Sequence, residues 1–228
     1  MKTLVDELYE SIHEEIIGNR LKPGQRLHIA QLAEQYQVGS GPIREALSRL
    51  LATQLVIAIS QRGFRVAPIS REDLHDIYKT RAHIEVIAVT LSIENGSDAW
   101  EAEMIAAYHR LAKFESEHRI NNQEAYIEWE SRHRAFNLSL IHACKLEHLL
   151  RIQSHLYCLT ERYRRQWLIA GLMSLDGLHY AKEQKKIMDA ALAREAQLAT
   201  KLLHEHFEKA IAVIESYFLE HNLFDHFE

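Results

Sequence analysis

Three groups of residues in this 228-residue chain are spaced for chemistry. The first is basic. Arg44 and Arg49 lie in Val38-Gly-Ser-Gly-Pro-Ile-Arg-Glu-Ala-Leu-Ser-Arg-Leu-Leu51, outside the stripe of Ile43, Ala46, Leu47, Leu50 and Leu51. Apolar residues at that spacing bury one face of a helix. They leave two guanidiniums outside it, suited to DNA phosphates and base edges. Arg62 and Arg65 flank Gly63 and extend the basic set. The second group is His133 and Asn137, at the edge of an apolar face made by Trp129, Phe136 and Leu140. Two groups four residues apart on a helix point together and can share one ligand or metal ion. The third is Glu115-Ser-Glu-His118 with Glu130-Ser-Arg-His133. Both have the Glu-x-x-His spacing of di-iron bundles, a weak pattern in a chain with 15 His and 32 Asp or Glu. The sequence holds no Gly-rich phosphate loop, nucleophile elbow or His-Glu-x-x-His. That argues against an enzyme.

Short elements must position the basic group. Residues 3–18 read as an amphipathic helix with Leu4, Leu8, Ile12, Ile16 and Ile17 as its stripe, ended by Gly18. A tight turn on Pro23-Gly24 follows. Ile29, Leu32, Ala33 and Tyr36 mark a short helix, and a glycine turn leads to the next. There Ser40 or Gly41 can cap and Pro42 suits the first helical position. Two short helices so joined form a helix-turn-helix whose second member reads DNA, or two packed helices of any bundle. Residues 55–60 and 64–67 are β-prone runs around Gln61-Arg-Gly63, which predicts a hairpin. A helix-turn-helix followed by a basic hairpin is a winged helix; the alternative is a purely structural hairpin.

Pro68 and Ser70 then divide the chain into a head, residues 1–69, and a body, residues 70–228. The body reads as six helical segments, at 70–94, 98–119, 122–143, 146–169, 177–192 and 194–219, with no strand or tandem repeat. The fold class is therefore mainly α: a winged helix-turn-helix with a small β-hairpin, then an antiparallel all-α bundle. Ser70 and Asp73 have capping-box spacing at the junction. The linker is short, so the head should be held rather than freely tethered.

Charge supports this division. Net charge is −5, yet residues 18–69 hold seven Lys or Arg against two Asp or Glu, and residues 70–228 carry −6. A basic segment on an acidic body suits a DNA head on a regulatory domain. The apolar runs are too short to span a membrane, and the acidic, amphipathic N-terminus is unlike a signal peptide. Cys144 and Cys158 are isolated within helical patterns and read as buried thiols in a reducing cytoplasm.

The segments Ile-Ile-Gly-Asn-Arg-Leu-Lys-Pro-Gly-Gln-Arg-Leu (16–27), Leu-Ala-Glu-Gln-Tyr-Gln-Val (32–38), Pro-Ile-Arg-Glu-Ala-Leu-Ser-Arg-Leu (42–50) and Arg-Gly-Phe-Arg-Val-Ala (62–67) resemble, in order, the signature of GntR-family transcription regulators. The body opens with Asp76-Ile-Tyr-Lys-Thr-Arg81-Ala-His-Ile-Glu85 and resembles the FadR subfamily, with an FCD-type effector-binding bundle. The resemblance implies DNA contacts at the positions of Ser40, Gly41, Arg44, Arg62 and Gly63, and the basic pattern adds Arg49 and Arg65. Family members usually carry Arg and Thr where this chain has Ser40 and Gly41. Both residues here are small, which argues against an arginine–guanine contact from this turn.

The resemblance also implies a metal set. It matches His133 and Asn137, where relatives carry Asp and His, with Gln184 and His206. Two imidazoles and two amides make a weak site for zinc or nickel, because carboxamides are poor ligands for such ions. His133, Asn137 and His206 would hold any ion bound. The same groups suit a carboxylate, so the expectation is an organic-anion pocket anchored by Arg81. A salt bridge to Glu85 is the rival role for Arg81. Tyr163 and His155 could line the same cavity.

The implied function is a cytoplasmic homodimer on a pseudo-palindromic, double-stranded operator, released by a small mono- or dicarboxylate. The alternatives are a metal-dependent bundle enzyme and a DNA binder without effector.

Overall fold

The structure is a computed structural model and describes residues 2–59, 63–120, 122–168 and 180–224. Helix α1 spans Leu4–Ile17 and buries Leu8, Ile12, Ile16 and Ile17. Thr3 caps it in a reciprocal capping box with Asp6. Helix α2 is Ile29–Gln35 and α3 is Ser40–Ala52. Gln37, in the turn between them, adopts a left-handed φ of 55°. Helix α3 packs on α1 by Ile43, Ala46, Leu47 and Leu50, the expected stripe without its last member. Leu51 lies 38% exposed, because the helix ends one residue later and this side faces an open cleft. The cap is Gly39 rather than Ser40 or Gly41, which places Pro42 third in the helix rather than first. The first turn tolerates proline there, since its N–H has no partner within the helix.

The wing is larger than a hairpin. Strands β2 (Val56–Ile59) and β3 (Gly63–Val66) pair antiparallel, with Ile59 opposite Gly63. A third strand, β1 (Arg26–Leu27), pairs with β3, giving the order β1-β3-β2. Gly63, at the turn, has φ +89°, a conformation that side chains resist.

Six helices form the bundle among the described residues: α4 Arg71–Asn95, α5 Asp98–Glu117, α6 Gln123–Ile141, α7 Glu147–Trp167, α8 Tyr180–Leu192 and α9 Ala196–Glu220. These follow the six expected segments to within a few residues. The expected break at residues 171–177 lies outside the described residues. Ser70 caps α4 through Asp73 N–H, and Asn122 caps α6 through Ala125 N–H. Helix α4 is the hub, packing against α6, α7, α8 and α9. No helix among the described residues is long and apolar enough to cross a membrane.

Candidate functional site

The outer face of α3 is the first candidate. Ser40, Gly41 and Arg44 are exposed along its N-terminal turns. Gly39 offers no side chain to cap them. Free N–H groups at a helix N-terminus favour a phosphate, and Gly41 has open space around it. Arg44 projects from the next turn. Arg49 is differently placed. Its Nη1 is 2.7 Å from Asp6 Oδ1 on α1, and its guanidinium lies 5.0 Å from the Tyr9 ring centroid. The Arg49 guanidinium, with Thr3, holds the Asp6 carboxyl well below the usual carboxylate range. Arg49 thus braces α3 on α1. On the wing, Arg65 of β3 stands opposite Arg26 of β1. Gly63 forms the tip's far side, and Arg62 lies outside the described residues.

The second candidate is a buried polar centre in the bundle. Its middle is the Tyr157 ring, with Arg81 at 4.5 Å and Arg164 at 4.8 Å. Arg81 Nε binds Glu85 Oε1 at 2.7 Å, so the salt bridge is made. Glu85 also accepts Gln153 Nε2 at 2.7 Å. Arg164 is held by Glu130 at 2.6 Å. His133 completes the group through Tyr157 Oη, 2.8 Å from its Nδ1. Asn137 Nδ2 donates to the His133 carbonyl at 2.8 Å and faces His133 Nε2 at 3.2 Å. Nε2 is therefore the acceptor and Nδ1 carries the proton. Burial, with Arg164, Arg81 and His206 nearby, pushes the His133 pKa well below its ordinary value, so the ring is neutral.

The remaining expected residues divide. His206 lies close enough to act electrostatically on His133, but its Nδ1 meets Glu183 at 3.3 Å. That pairing, with Lys209, pushes the Glu183 carboxyl down to about 2. A cavity of about 30 Å³ opens beside His206. Gln184 is buried, with an unpartnered Oε1. Tyr163 is buried too, but its hydroxyl turns away to Asp73 Oδ2, at 2.5 Å, and the Ser70 carbonyl. His155 reaches Gln54 in the head at 3.1 Å. Neither residue belongs to the polar centre. Sequence reasoning missed Tyr157, Thr160, Gln153 and Arg164. The last belongs to Glu-Arg-Tyr-Arg-Arg (161–165), a run dense in charge. All five residues of that run are buried.

Comparison with known proteins settles the lineage. Residues 4–66 match the model of bacterial regulatory proteins of the gntR family, and residues 76–209 match the FCD domain. The HTH-type transcriptional repressor GlaR of Escherichia coli is 35% identical over 91% of this chain and 94% of its own length. The chain belongs to the GntR family. Its FCD domain places it in the FadR subfamily, and it is a DNA-binding transcription regulator rather than an enzyme. The uncharacterized HTH-type transcriptional regulator BphR of Paraburkholderia xenovorans is also 35% identical, over 95% of this chain and 87% of its own length. The solved structure of E. coli McbR/YncC shares the fold, with a TM-score of 0.73, 22% identity and coverage of 96% of this chain and all of that one.

The FCD metal set does not fit this GntR-family chain. Asn137 is oriented by the His133 carbonyl, so its amide nitrogen, which cannot ligate, faces the imidazole. His133 uses Nδ1 on Tyr157 and Nε2 on Asn137. Among the described residues no three His, Cys, Asp or Glu side chains are grouped to hold an ion. The Glu-x-x-His pairs are also spent elsewhere. Glu115 accepts Trp129 Nε1, Glu130 holds Arg164, and His118 Nδ1 meets the Phe114 carbonyl. Cys144 is buried and Cys158 partly so; burial pushes the Cys158 thiol pKa up.

Proposed function

We propose that the chain is a homodimeric repressor released from a pseudo-palindromic operator by a small carboxylate bound in the bundle. Residues 1–69 act as the DNA head, and residues 70–228 bind the effector and dimerise. The observation that carries the effector reading is the buried centre around Tyr157. Arg81 commits Nε to Glu85 and Nη1 to Thr160. A guanidinium has five N–H donors in a fork that matches a carboxylate. His133 Nδ1–H and the Asn137 amide lie beside it, and an effector would draw on them by displacing Tyr157 Oη or the His133 carbonyl. Two buried amide oxygens, Gln153 Oε1 and Gln184 Oε1, have no donor. They would receive a hydroxyl on the effector. Arg81, His133 and Tyr157 are all buried, so the effector enters by displacing side chains. On the DNA side the reading rests on Ser40, Gly41 and Arg44 at the exposed end of α3, with Gly63 and Arg65 on the wing. The repressor sign is supported by GlaR, which is named as a repressor.

A thermal-shift screen of the purified protein against short mono- and dicarboxylates tests this, run with and without chelator. A ligand that binds only the folded state raises the melting temperature by mass action. The expected result is one acid class that raises it equally in both conditions and lowers operator affinity. If chelator lowers the melting temperature and zinc restores it, together with the acid response, the metal-independent pocket is wrong. If no acid shifts the melting temperature, the carboxylate assignment fails.

A further inference from the structure

Head and bundle meet along α7, from His155 on Gln54 to one charged turn further on. Glu161, Arg162, Tyr163, Arg164 and Arg165 are consecutive and all buried. A helix covered on one side buries residues at intervals of three and four. Five in a row require cover all round, and here the head supplies the second side. Arg164 points into the bundle, to Glu130. Arg165 points to the head, with Nη1 2.9 Å from Glu14 on α1. Arg162 and Tyr163 point to the linker. Arg162 Nη1 donates to the carbonyls of Ala67 and Pro68, both at 3.3 Å, and its Nη2 is 2.8 Å from Asp73. The Tyr163 hydroxyl meets the same Asp73 oxygen and the Ser70 carbonyl.

The contact beside these bonds is not close-packed. A cleft of about 510 Å³ separates Leu51, Val56 and Ile57 of the head from Ile77, Leu156 and Leu159 of the bundle. Interdigitated apolar side chains fix an orientation because any rotation opens voids. Across the cleft that constraint is missing, although α1 packs on α7 elsewhere, so the polar bonds beside the cleft share in setting the angle. Three of those bonds end on the backbone carbonyls of Ala67, Pro68 and Ser70 and two on the Asp73 carboxylate at the start of α4, so they hold the path of the linker against the bundle.

We propose that Arg162 and Tyr163 are positioning residues for operator recognition. By gripping residues 67–73 they set the angle of each head on the bundle, and so the half-site separation that the dimer reads. This rests on the dimeric reading above. Two heads on one rigid body reach half-sites only at one spacing; heads on a loosened grip reach several. Neither residue touches the reading face of α3, so affinity for a single half-site is independent of them.

The test uses the full-length protein and a half-site obtained by selection from random duplexes. Wild type, Tyr163→Phe and Arg162→Gln are titrated against a single half-site and against paired half-sites whose separation is varied by base pairs. Sedimentation gives the mass of each. The wild type is expected to prefer its best separation by about tenfold or more, and each variant by only about twofold, with unchanged half-site affinity and dimeric mass. Dimeric variants that keep the wild-type spacing preference overturn the proposal. So does an equal loss on the single half-site, because the residues would then serve only to keep the head folded. A monomeric wild type overturns the proposal too, and locates the failure in the dimeric reading.

Discussion

Arg81 and Arg164 donate to the same oxygen. Thr160 Oγ1 lies 3.1 Å from Arg81 Nη1 and 3.4 Å from Arg164 Nη1, in the interior of the bundle. Two guanidiniums converge there because each brings its own carboxylate, Glu85 and Glu130. Charge is balanced pair by pair, and the hydroxyl joins the pairs without adding to it. A carboxylate that enters this centre must compete with Glu85 or Glu130, which makes those contacts the ones an effector would rearrange.

Arg81 therefore cannot be removed without consequence for the fold. Arg81→Ala leaves Glu85 buried, about 2% exposed, without its partner. The expected cost is about 3–5 kcal/mol, as for other buried pairs broken on one side. Replacing both partners, Arg81→Met with Glu85→Leu, should recover most of that stability. Urea denaturation of wild type and the two variants decides it. A single Arg81 variant as stable as wild type would show that the pair is not desolvated.

Arg44 and Arg49 should behave differently at the operator. Arg44→Ala removes an exposed guanidinium from the reading face and should weaken specific binding by about 1–3 kcal/mol if it reaches a base edge. Arg49→Ala breaks the link to Asp6 and should change discrimination between operator sequences little. Fluorescence anisotropy with specific and scrambled duplexes separates the two. Equal losses of specificity would place Arg49 in the groove.

Acid stability should carry the mark of Glu161. Burial and the neighbouring Glu130 push its carboxyl up to about 7. Tyr126 Oη faces both carboxylates, at 3.2 Å each, and one hydroxyl proton cannot serve both. A carboxyl with a raised pKa takes up a proton on folding. Its contribution is present below the unfolded value, near 4.5, and is lost as pH rises through about 7. His133, held neutral, works in the opposite direction below its unfolded value of 6.5. The difference between wild type and Glu161→Gln isolates the carboxyl. Melting temperatures from pH 5 to pH 8 should show wild type losing ground to the variant as pH rises. Parallel curves would mean Glu161 stays charged throughout.

Gly96 is required by close approach rather than by its backbone angles. A Cβ there would lie 2.0 Å from Trp100 Cε3. Trp100 is buried and donates through Nε1 to the Ser139 carbonyl at 2.7 Å. Gly96→Ala should displace the indole, shift tryptophan emission to longer wavelength and cost about 1–3 kcal/mol. An unchanged spectrum with native stability would show that the α4–α5 turn yields instead.

Much of this architecture is legible in the residues. The α3 stripe, the six bundle helices and the basic wing follow from local spacing, since a helix face is defined by residues three and four apart. Strand β1 is not legible. It is two residues long and exists because β3 offers it a ladder, with Gly24 N–H on the Val66 carbonyl and Val66 N–H on the Gln25 carbonyl. Within the site, His133 and Asn137 are readable as an i, i+4 pair, and the amide replacements already argue against a tight metal. Tyr157, Thr160 and Gln153 give no such signal. Their partners lie on α4 and α6, tens of residues away.

By itself the sequence determined the order of elements and the residue types available to the site, because these depend on composition and short-range period, and its ordered motifs carried the resemblance to the family. The tertiary structure alone decided what each polar side chain is used for. Arg49 went to Asp6, Tyr163 to the linker and Arg164 to the interior. A long side chain is free to turn until burial makes an unpaired polar group costly, and only the assembled fold sets which partner is then within reach.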